Sequence, residues 1–372
     1  MADQKKVQKG YKIIIAGGGT GGHIFPAVAI ANALKKLDSN TEILFVGARG
    51  KMEMEKIPQA GYRIKGLDIA GFNRSSLIKN IGLPWKLVKS FLQVRNIFNE
   101  FKPDAVVGVG GYSSFPVLRY AQAKRIPSFI HESNSFAGKS NMMLAKNATK
   151  VFVATDGMQK FFPQQKIVIT GNPIRSDIAA VDKVSKKDAL EYFGFREGKT
   201  SVLAVGGSLG ARSINEAIAK HLDAFENNDL QLIWQTGKTD SQKWKEIAQG
   251  KSNLWVNEFI TQMNMAYAAA DIVISRAGAM AIAELCVVQK PVLFVPFPFA
   301  AEDHQTVNAQ HLVERGAALS IKDSEALDKV VPMIVELAKS KETQQALKDN
   351  ISKYGVLDAD RQIANQILES IK

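Results

Sequence analysis

The densest chemical signal in the chain lies between Ile13 and Pro26. An apolar, β-branched run, Ile13-Ile14-Ile15-Ala16, leads into Gly17-Gly18-Gly19-Thr20-Gly21-Gly22-His23. Such a run reads as a buried parallel strand, a tight turn and a helix N-terminus, whose unpaired N–H groups suit an anion. Glycines let a ligand approach the backbone because no Cβ intervenes. A plain strand-to-helix turn needs one or two glycines; the excess here points to an anion or substrate site. His23 is the best general-base candidate by side chain, since an unperturbed imidazole titrates near neutrality. A histidine at a helix N-terminus can equally donate to a phosphate, and the sequence leaves both roles open. The second half repeats the pattern: strand Ser201 to Val205, turn Gly206-Gly207-Ser208-Leu209-Gly210-Ala211-Arg212, then a helical stripe through Ile214, Ala217, Ile218 and Leu222. The Ser208 hydroxyl can donate to a phosphate oxygen and cap the helix at once.

The elements that must hold these turns alternate along the chain. Expected strands cover Lys12 to Ile15, Glu42 to Val46, Tyr62 to Leu67, Ala105 to Val109, a run closing at Phe129-Ile130, Lys150 to Ala154 and Lys166 to Thr170. The second half adds Leu230 to Thr236, Leu254 to Val256, Asp271 to Ser275 and Pro291 to Pro296. The first helix is expected over Pro26 to Leu37. Alternation of this kind implies an α/β fold with doubly wound parallel sheets, in which ligands sit at the carboxyl ends of strands. The glycine and polar clusters fall at such ends. Two Rossmann-like domains are expected, over 1–170 and 171–355, with a helix over 356–372 that packs back on the first.

Composition narrows the chemistry. The 372 residues suit two domains, and 46% apolar with 23% charged residues is ordinary for a globular protein. No apolar run approaches the roughly 20 residues that cross a bilayer. The N-terminus carries no signal-peptide core, and the single cysteine, Cys286, fits a reducing compartment. A cytoplasmic setting is expected. The net charge of +12 suits nucleic acid, an anionic membrane or anionic small molecules. No basic run with interleaved aromatics marks a nucleic-acid module.

Three chemistries fit poorly. Gly17, Gly19 and Gly22 satisfy a dinucleotide fingerprint, but the second strand ends Val46-Gly47-Ala48-Arg49 with no acid for the ribose. The histidines are scattered and no spacing suits zinc, so no metal is expected; Asp358-Ala359-Asp360 reads as a helix cap. Gly207-Ser208-Leu209-Gly210 is not a nucleophile elbow. Group transfer from an anionic donor remains, with helix dipoles stabilising the charge and no cofactor.

The motifs together resemble the MurG family of N-acetylglucosaminyltransferases. They are Gly18 to His23, His131-Glu132-Ser133-Asn134, Gly171-Asn172-Pro173-Ile174-Arg175, Gly206 to Arg212, Arg276-Ala277-Gly278-Ala279 through Glu284, and Asp303-His304-Gln305 through Asn308-Ala309, in family order across nearly the whole chain. Ser133 departs from the family's usual Gln, and Ala281 from its frequent Thr. The resemblance implies the two-domain glycosyltransferase B architecture with a deep cleft, and inverting transfer of GlcNAc from UDP-GlcNAc to the C4 hydroxyl of MurNAc in lipid I, giving lipid II for peptidoglycan. It assigns Glu284 to the ribose hydroxyls, Arg175 and Ser208 to the diphosphate, and the Ile260 backbone to uracil. Gln305 and Asn134 go to the donor sugar. Thr20, Gly21, Gly22, Ala279, Met280, Ala281, Ile282 and Ala283 complete the substrate contacts. His131 and Glu132 are weaker candidates for the base.

A lipid-linked acceptor implies a peripheral place on the cytoplasmic face of the inner membrane, with anionic lipids and other cell-wall synthesis proteins as partners. Phe72 to Lys102 is basic and apolar. Its docking patch is expected at Leu77, Ile78, Ile81, Leu83 and Trp85 with Lys79, Lys86 and Lys89, while Val88, Phe91, Leu92, Phe98 and Phe101 form a stripe toward the core. Two other readings share part of the pattern: a UDP-GlcNAc 2-epimerase, which needs no lipid-docking segment, and a non-catalytic UDP-sugar-binding protein of a membrane complex.

Overall fold

The structure, a computed structural model, describes residues 10–71, 82–207, 209–300 and 303–372. The chain divides into two compact units, unit 1 comprising residues 1–173 with 358–372 and unit 2 residues 174–357.

Unit 1 is built on seven strands: β1 Lys12–Ala16, β2 Glu42–Ala48, β3 Arg63–Leu67, β4 Ala105–Gly108, β5 Ser128–Glu132, β6 Lys150–Val153 and β7 Ile167–Ile169. They form one sheet in the order β3-β2-β1-β4-β5-β6-β7, with every pair parallel. The β1 run is buried on both faces, as strands between two helical layers must be. Ile14 and Ala16 join one apolar cluster, and Ile13 and Ile15 the other.

Helix α1, Gly21–Leu37, starts five residues before Pro26, so the proline lies inside the helix rather than at its first position. Gly21 and Gly22 occupy the first turn, where amides need no intrahelical partner, and Pro26 removes only the bond to the Gly22 carbonyl. Ile24, Ala27, Ile30, Ala31 and Leu34 of α1 share a cluster with Ile363, Ala364, Ile367 and Leu368 of the final helix, Ala359–Ile371. That helix is the last element of unit 1. Asp358 stands at its N-cap position without capping a backbone N–H; its carboxylate accepts from the Gln362 side chain at 2.9 Å.

Helix α2 spans Glu53–Gln59 and α3 Leu83–Phe101, the latter with Pro84 in its first turn. The inward face of α3 is Ser90, Val94, Ile97, Phe98 and Phe101. Val88 and Leu92, expected in the core stripe, instead point to solvent at 50% and 58% exposure, in line with Trp85 at 80%. The sequence merged two apolar lines: 90, 94, 97 and 101 face the sheet, and 85, 88 and 92 recur at helical spacing on another side.

Unit 2 repeats the scheme with β8 Thr200–Val205, β9 Leu230–Gln235, β10 Leu254–Asn257, β11 Ile272–Ser275, β12 Val292–Phe294 and β13 Leu319–Ser320. The order is β10-β9-β8-β11-β12-β13, again all parallel. Strand β13 is two residues long and gave no sequence signal. In each sheet the winding reverses beside the first strand, at β1/β4 and at β8/β11. Open parallel sheets bind ligands at that crevice.

Candidate functional site

Both glycine turns sit at these reversals, and they are closed differently. After β1, Gly17 and Gly18 adopt φ values of 148° and 146° and Gly19 89°. Their N–H groups are taken by the chain: Gly17 donates to Val46 O at 3.1 Å, Gly18 to Gly110 O at 3.3 Å, and Gly19 to Oε2 of Glu53 at 2.8 Å. Glu53 is 1% exposed, and its Oε1 accepts the Ala48 N–H at 2.9 Å. A Cβ on Gly18 would lie 2.3 Å from the Glu53 carboxyl carbon, so glycine is required there. The expected anion seat at Gly17 to Gly19 is thus filled by the protein's own carboxylate. The N-terminal turn of α1, with Thr20, Gly21 and Gly22, is what remains to meet a ligand.

His23 follows in that turn. Its Nδ1 lies 2.9 Å from Gly18 O and 3.4 Å from Thr20 Oγ1. Its Nε2 edge packs over Gly110, where a Cβ would come within 2.8 Å. His131, at the end of β5, is fully buried. Burial, and secondarily the neighbouring His23, push its pKa down to about 4, so it is neutral at physiological pH. Glu132 is 4% exposed and accepts four bonds: Asn134 N at 3.1 Å, Asn134 Nδ2 at 3.2 Å, Gly138 N at 3.0 Å and Asn141 Nδ2 at 2.8 Å. A carboxylate so engaged shapes the loop after β5 and sets the Asn134 side chain.

In unit 2 the turn after β8 meets an amide. Gln235, 4% exposed at the end of β9, donates through Nε2 to Gly207 O at 3.2 Å and accepts the Ile260 N–H at 3.0 Å. Ile260 is buried, and its amide hydrogen is therefore already used. Gly210 and Gly237 touch so closely that a Cβ on Gly237 would lie 1.9 Å from the Gly210 nitrogen. Among the described residues, no carboxylate takes an N–H of this turn. Ser208 lies outside the described residues.

Glu284 belongs to the helix Ala279–Val288, whose first residues, Ala279, Met280, Ala281, Ile282 and Ala283, are half-buried. Glu284 itself is 8% exposed. Its Oε1 pairs with Arg175 Nε at 3.2 Å, and its Oε2 accepts from Tyr267 Oη at 3.1 Å. Burial raises its pKa above the usual carboxylate range, with Arg175 opposing the shift. Arg175, expected on a diphosphate, is thus joined to Glu284 within one unit. Gln305 accepts the Phe297 N–H at 3.0 Å through Oε1, and its side-chain amide remains for donation.

Sequence reasoning missed Glu53, Gln235 and Tyr267. Gln235 ends β9, whereas Glu53 opens α2 and Tyr267 lies in the helix Met263–Ala269, each distant in sequence from the residue it bonds. Among the described residues, no group of three or more His, Cys, Asp or Glu side chains could hold a metal ion. None of their helices is long and apolar enough to cross a membrane. Of the docking patch, Leu77, Ile78, Lys79 and Ile81 lie outside the described residues. Leu83 is half-buried, Trp85 and Lys86 are exposed, and Lys89 is bound to Asp68 at 2.8 Å. That lysine holds the Asp68 carboxyl below its ordinary range.

Two parallel sheets in one chain, each with a glycine turn at its reversal, define the glycosyltransferase B architecture. The glycosyltransferase family 28 N-terminal domain matches residues 13–153 and its C-terminal domain residues 201–363. A Phocaeicola vulgatus protein named UDP-N-acetylglucosamine--N-acetylmuramyl-(pentapeptide) pyrophosphoryl-undecaprenol N-acetylglucosamine transferase is 49% identical, over 98% of this chain and 97% of its own length. A Parabacteroides distasonis protein of the same name is 49% identical over 97% of each. The crystal structure of Acinetobacter baumannii MurG aligns with a TM-score of 0.78 at 27% identity, covering 96% of this chain and 99% of that one. The chain belongs to glycosyltransferase family 28 and, within it, to the MurG family of N-acetylglucosaminyltransferases.

Proposed function

We propose that this protein transfers GlcNAc from UDP-GlcNAc to the C4 hydroxyl of MurNAc in lipid I, with inversion, giving lipid II. The observation that carries the reading is the full-length match, at 49% identity, to relatives named for this transfer. The site chemistry supports it. In one displacement, the C4 oxygen attacks C1 of GlcNAc as its proton passes to a base, and the C1–O bond to UDP breaks. His23 Nε2 is that base, and the resulting imidazolium returns its proton to solvent. Unit 2 takes the donor. A carboxylate has about four lone-pair sites. The Arg175 and Tyr267 bonds to Glu284 therefore leave capacity for two ribose hydroxyls. The backbone around Ile260 faces the base, and the glycine turn through Ser208 and the N-terminus of the helix Arg212–Lys220 meet the diphosphate. Gln305 bonds the donor sugar, and Thr20, Gly21 and Gly22 orient the acceptor. Incubation with UDP-GlcNAc and a lipid I analogue should yield a product heavier by one GlcNAc; UDP release without that product would refute the transfer.

The acceptor's lipid calls for a membrane surface. The outward line Trp85, Val88 and Leu92, with Lys86 beside it, serves that purpose on α3, and each lysine near an anionic surface adds about 1 kcal/mol. Replacing all three apolar residues by serine should release the protein from anionic vesicles and slow reaction with a long-chain acceptor while sparing a short soluble one. Equal loss on both acceptors would remove α3 from the membrane.

A further inference from the structure

The peptide group between Gly18 and Gly19 is bonded at both ends. Its N–H donates to Oε2 of Glu53 at 2.8 Å, and its C=O lies 2.9 Å from Nδ1 of His23. A carbonyl oxygen only accepts. Nδ1 therefore carries the hydrogen, and in the neutral ring Nε2 carries the lone pair. An amide whose N–H is bound by an anion has a more strongly accepting carbonyl, because successive hydrogen bonds polarise one another. The carboxylate, the peptide and the imidazole thus form one line. The carboxylate is fixed in it: Glu53 is buried, Ala48 N–H holds its other oxygen at 2.9 Å, and a Cβ on Gly47 would fall 2.5 Å from its Cγ.

We propose that Glu53 is a positioning residue for His23, holding the imidazole through the Gly18–Gly19 peptide group in the Nδ1–H form, with Nε2 as proton acceptor. In hydrolytic triads a carboxylate does this by touching the histidine directly; here one peptide group stands between them. The inference rests on the reading of His23 as the base. Four groups near His23 among the described residues do not duplicate the effect. From β5 comes His131, which burial keeps neutral. The final helix meets α1 with Ile363, Ala364, Ile367 and Leu368. After β4 comes Gly110, which has no side chain. Thr20 Oγ1, at 3.4 Å, is a second and longer partner of Nδ1.

Glu53→Gln keeps the shape but not the charge, and its single oxygen cannot accept from both Gly19 and Ala48. The variant should lose about 10–100-fold in kcat, the range seen when the outer-shell partner of a metal-ligating histidine is removed. Its KM for UDP-GlcNAc should stay within about twofold, since uniform binding is untouched. Nitrogen NMR of the full chain should show His23 as Nδ1–H in the native protein and as mixed tautomers in the variant, with the acid limb of kcat moved to lower pH. A fall in kcat with unchanged His23 tautomer and titration would overturn the proposal and leave Glu53 a fold residue. If the variant does not fold, the native spectrum decides, because an Nε2–H tautomer there is incompatible with it. Retained turnover in His23→Ala would remove the base reading alone, while the tautomer comparison still judges the link to Glu53.

Discussion

After β1 the glycine turn closes on a buried carboxylate, Glu53; after β8 it closes on a buried amide, Gln235. The backbone plan is the same, a parallel strand, left-handed glycines and a helix start at the point where the sheet's winding reverses. The charge is not. A turn that already holds an anion repels a second one, so the first turn is suited to a neutral hydroxyl and its proton. The second, closed by a neutral side chain, keeps its helix N-terminus for a phosphate. The two turns of one repeated scaffold thus differ in charge, with a buried Glu bonded to the first and a buried Gln to the second.

Four measurements would break or sharpen that division. The largest effect is expected at His23. His23→Ala should lower turnover by roughly 10²–10⁴-fold while leaving UDP-GlcNAc affinity unchanged. Affinity falling in step with rate would make His23 a phosphate ligand and erase the distinction between the turns. Next is Glu284→Ala, expected to weaken donor binding by about 1.5–3 kcal/mol through lost charge-assisted bonds. Calorimetric affinity equal to the native value would take Glu284 out of the donor site. Third, Gln235→Glu places a carboxylate in the second turn as in the first and removes the bond to Gly207 O. Donor affinity should fall about tenfold, the worth of one hydrogen bond to a charged group; an unaltered affinity would show that this turn serves no anion.

The fourth effect is one of pH, with opposite signs in the two units. His131 has its folded pKa lowered to about 4 from an ordinary 6.5, so its contribution is intact above 6.5 and is lost as pH falls toward 4. At about 1.4 kcal/mol per pH unit, this approaches roughly 3 kcal/mol at the acid end. Glu284 has a raised pKa, so its contribution is present at low pH and lost as pH rises through the folded value. Hydrogen exchange, corrected for intrinsic rates, should show unit 1 strands losing protection between pH 7 and 5 and unit 2 strands losing less. His131→Asn should flatten the unit 1 profile. Equal slopes in both units would contradict the assignment.

Much of this organisation was legible from residue order. Strands buried on both faces read as unbroken apolar runs, Ile13 to Ala16 and Val202 to Ala204 among them, because neither face needs a polar residue. The glycine excess after β1 marked a special backbone, and Glu284 stood out as a carboxylate between Ala283 and Leu285. What stayed hidden depends on contacts distant in sequence. Glu53 lies 34 residues beyond Gly19, inside the charged stretch Lys51 to Lys56, where a glutamate looks like surface. Tyr267 and Arg175 meet Glu284 only after the chain folds. Val88 and Leu92 were misread because an apolar residue on a helix signals its phase only when the buried line is already known.

The return of residues 358–372 to unit 1 has a consequence for biosynthesis. Unit 2 is one continuous stretch and can complete its core while the ribosome is still at work. The first segment of unit 1 precedes unit 2, yet Ile30 and Leu34 wait for Ile363 and Ile367, which are translated only after the whole of unit 2. The unit that carries His23 is thus started ahead of unit 2 and sealed only after it. A nascent chain stalled short of this helix would hold a finished unit 2 and a unit 1 with an open flank.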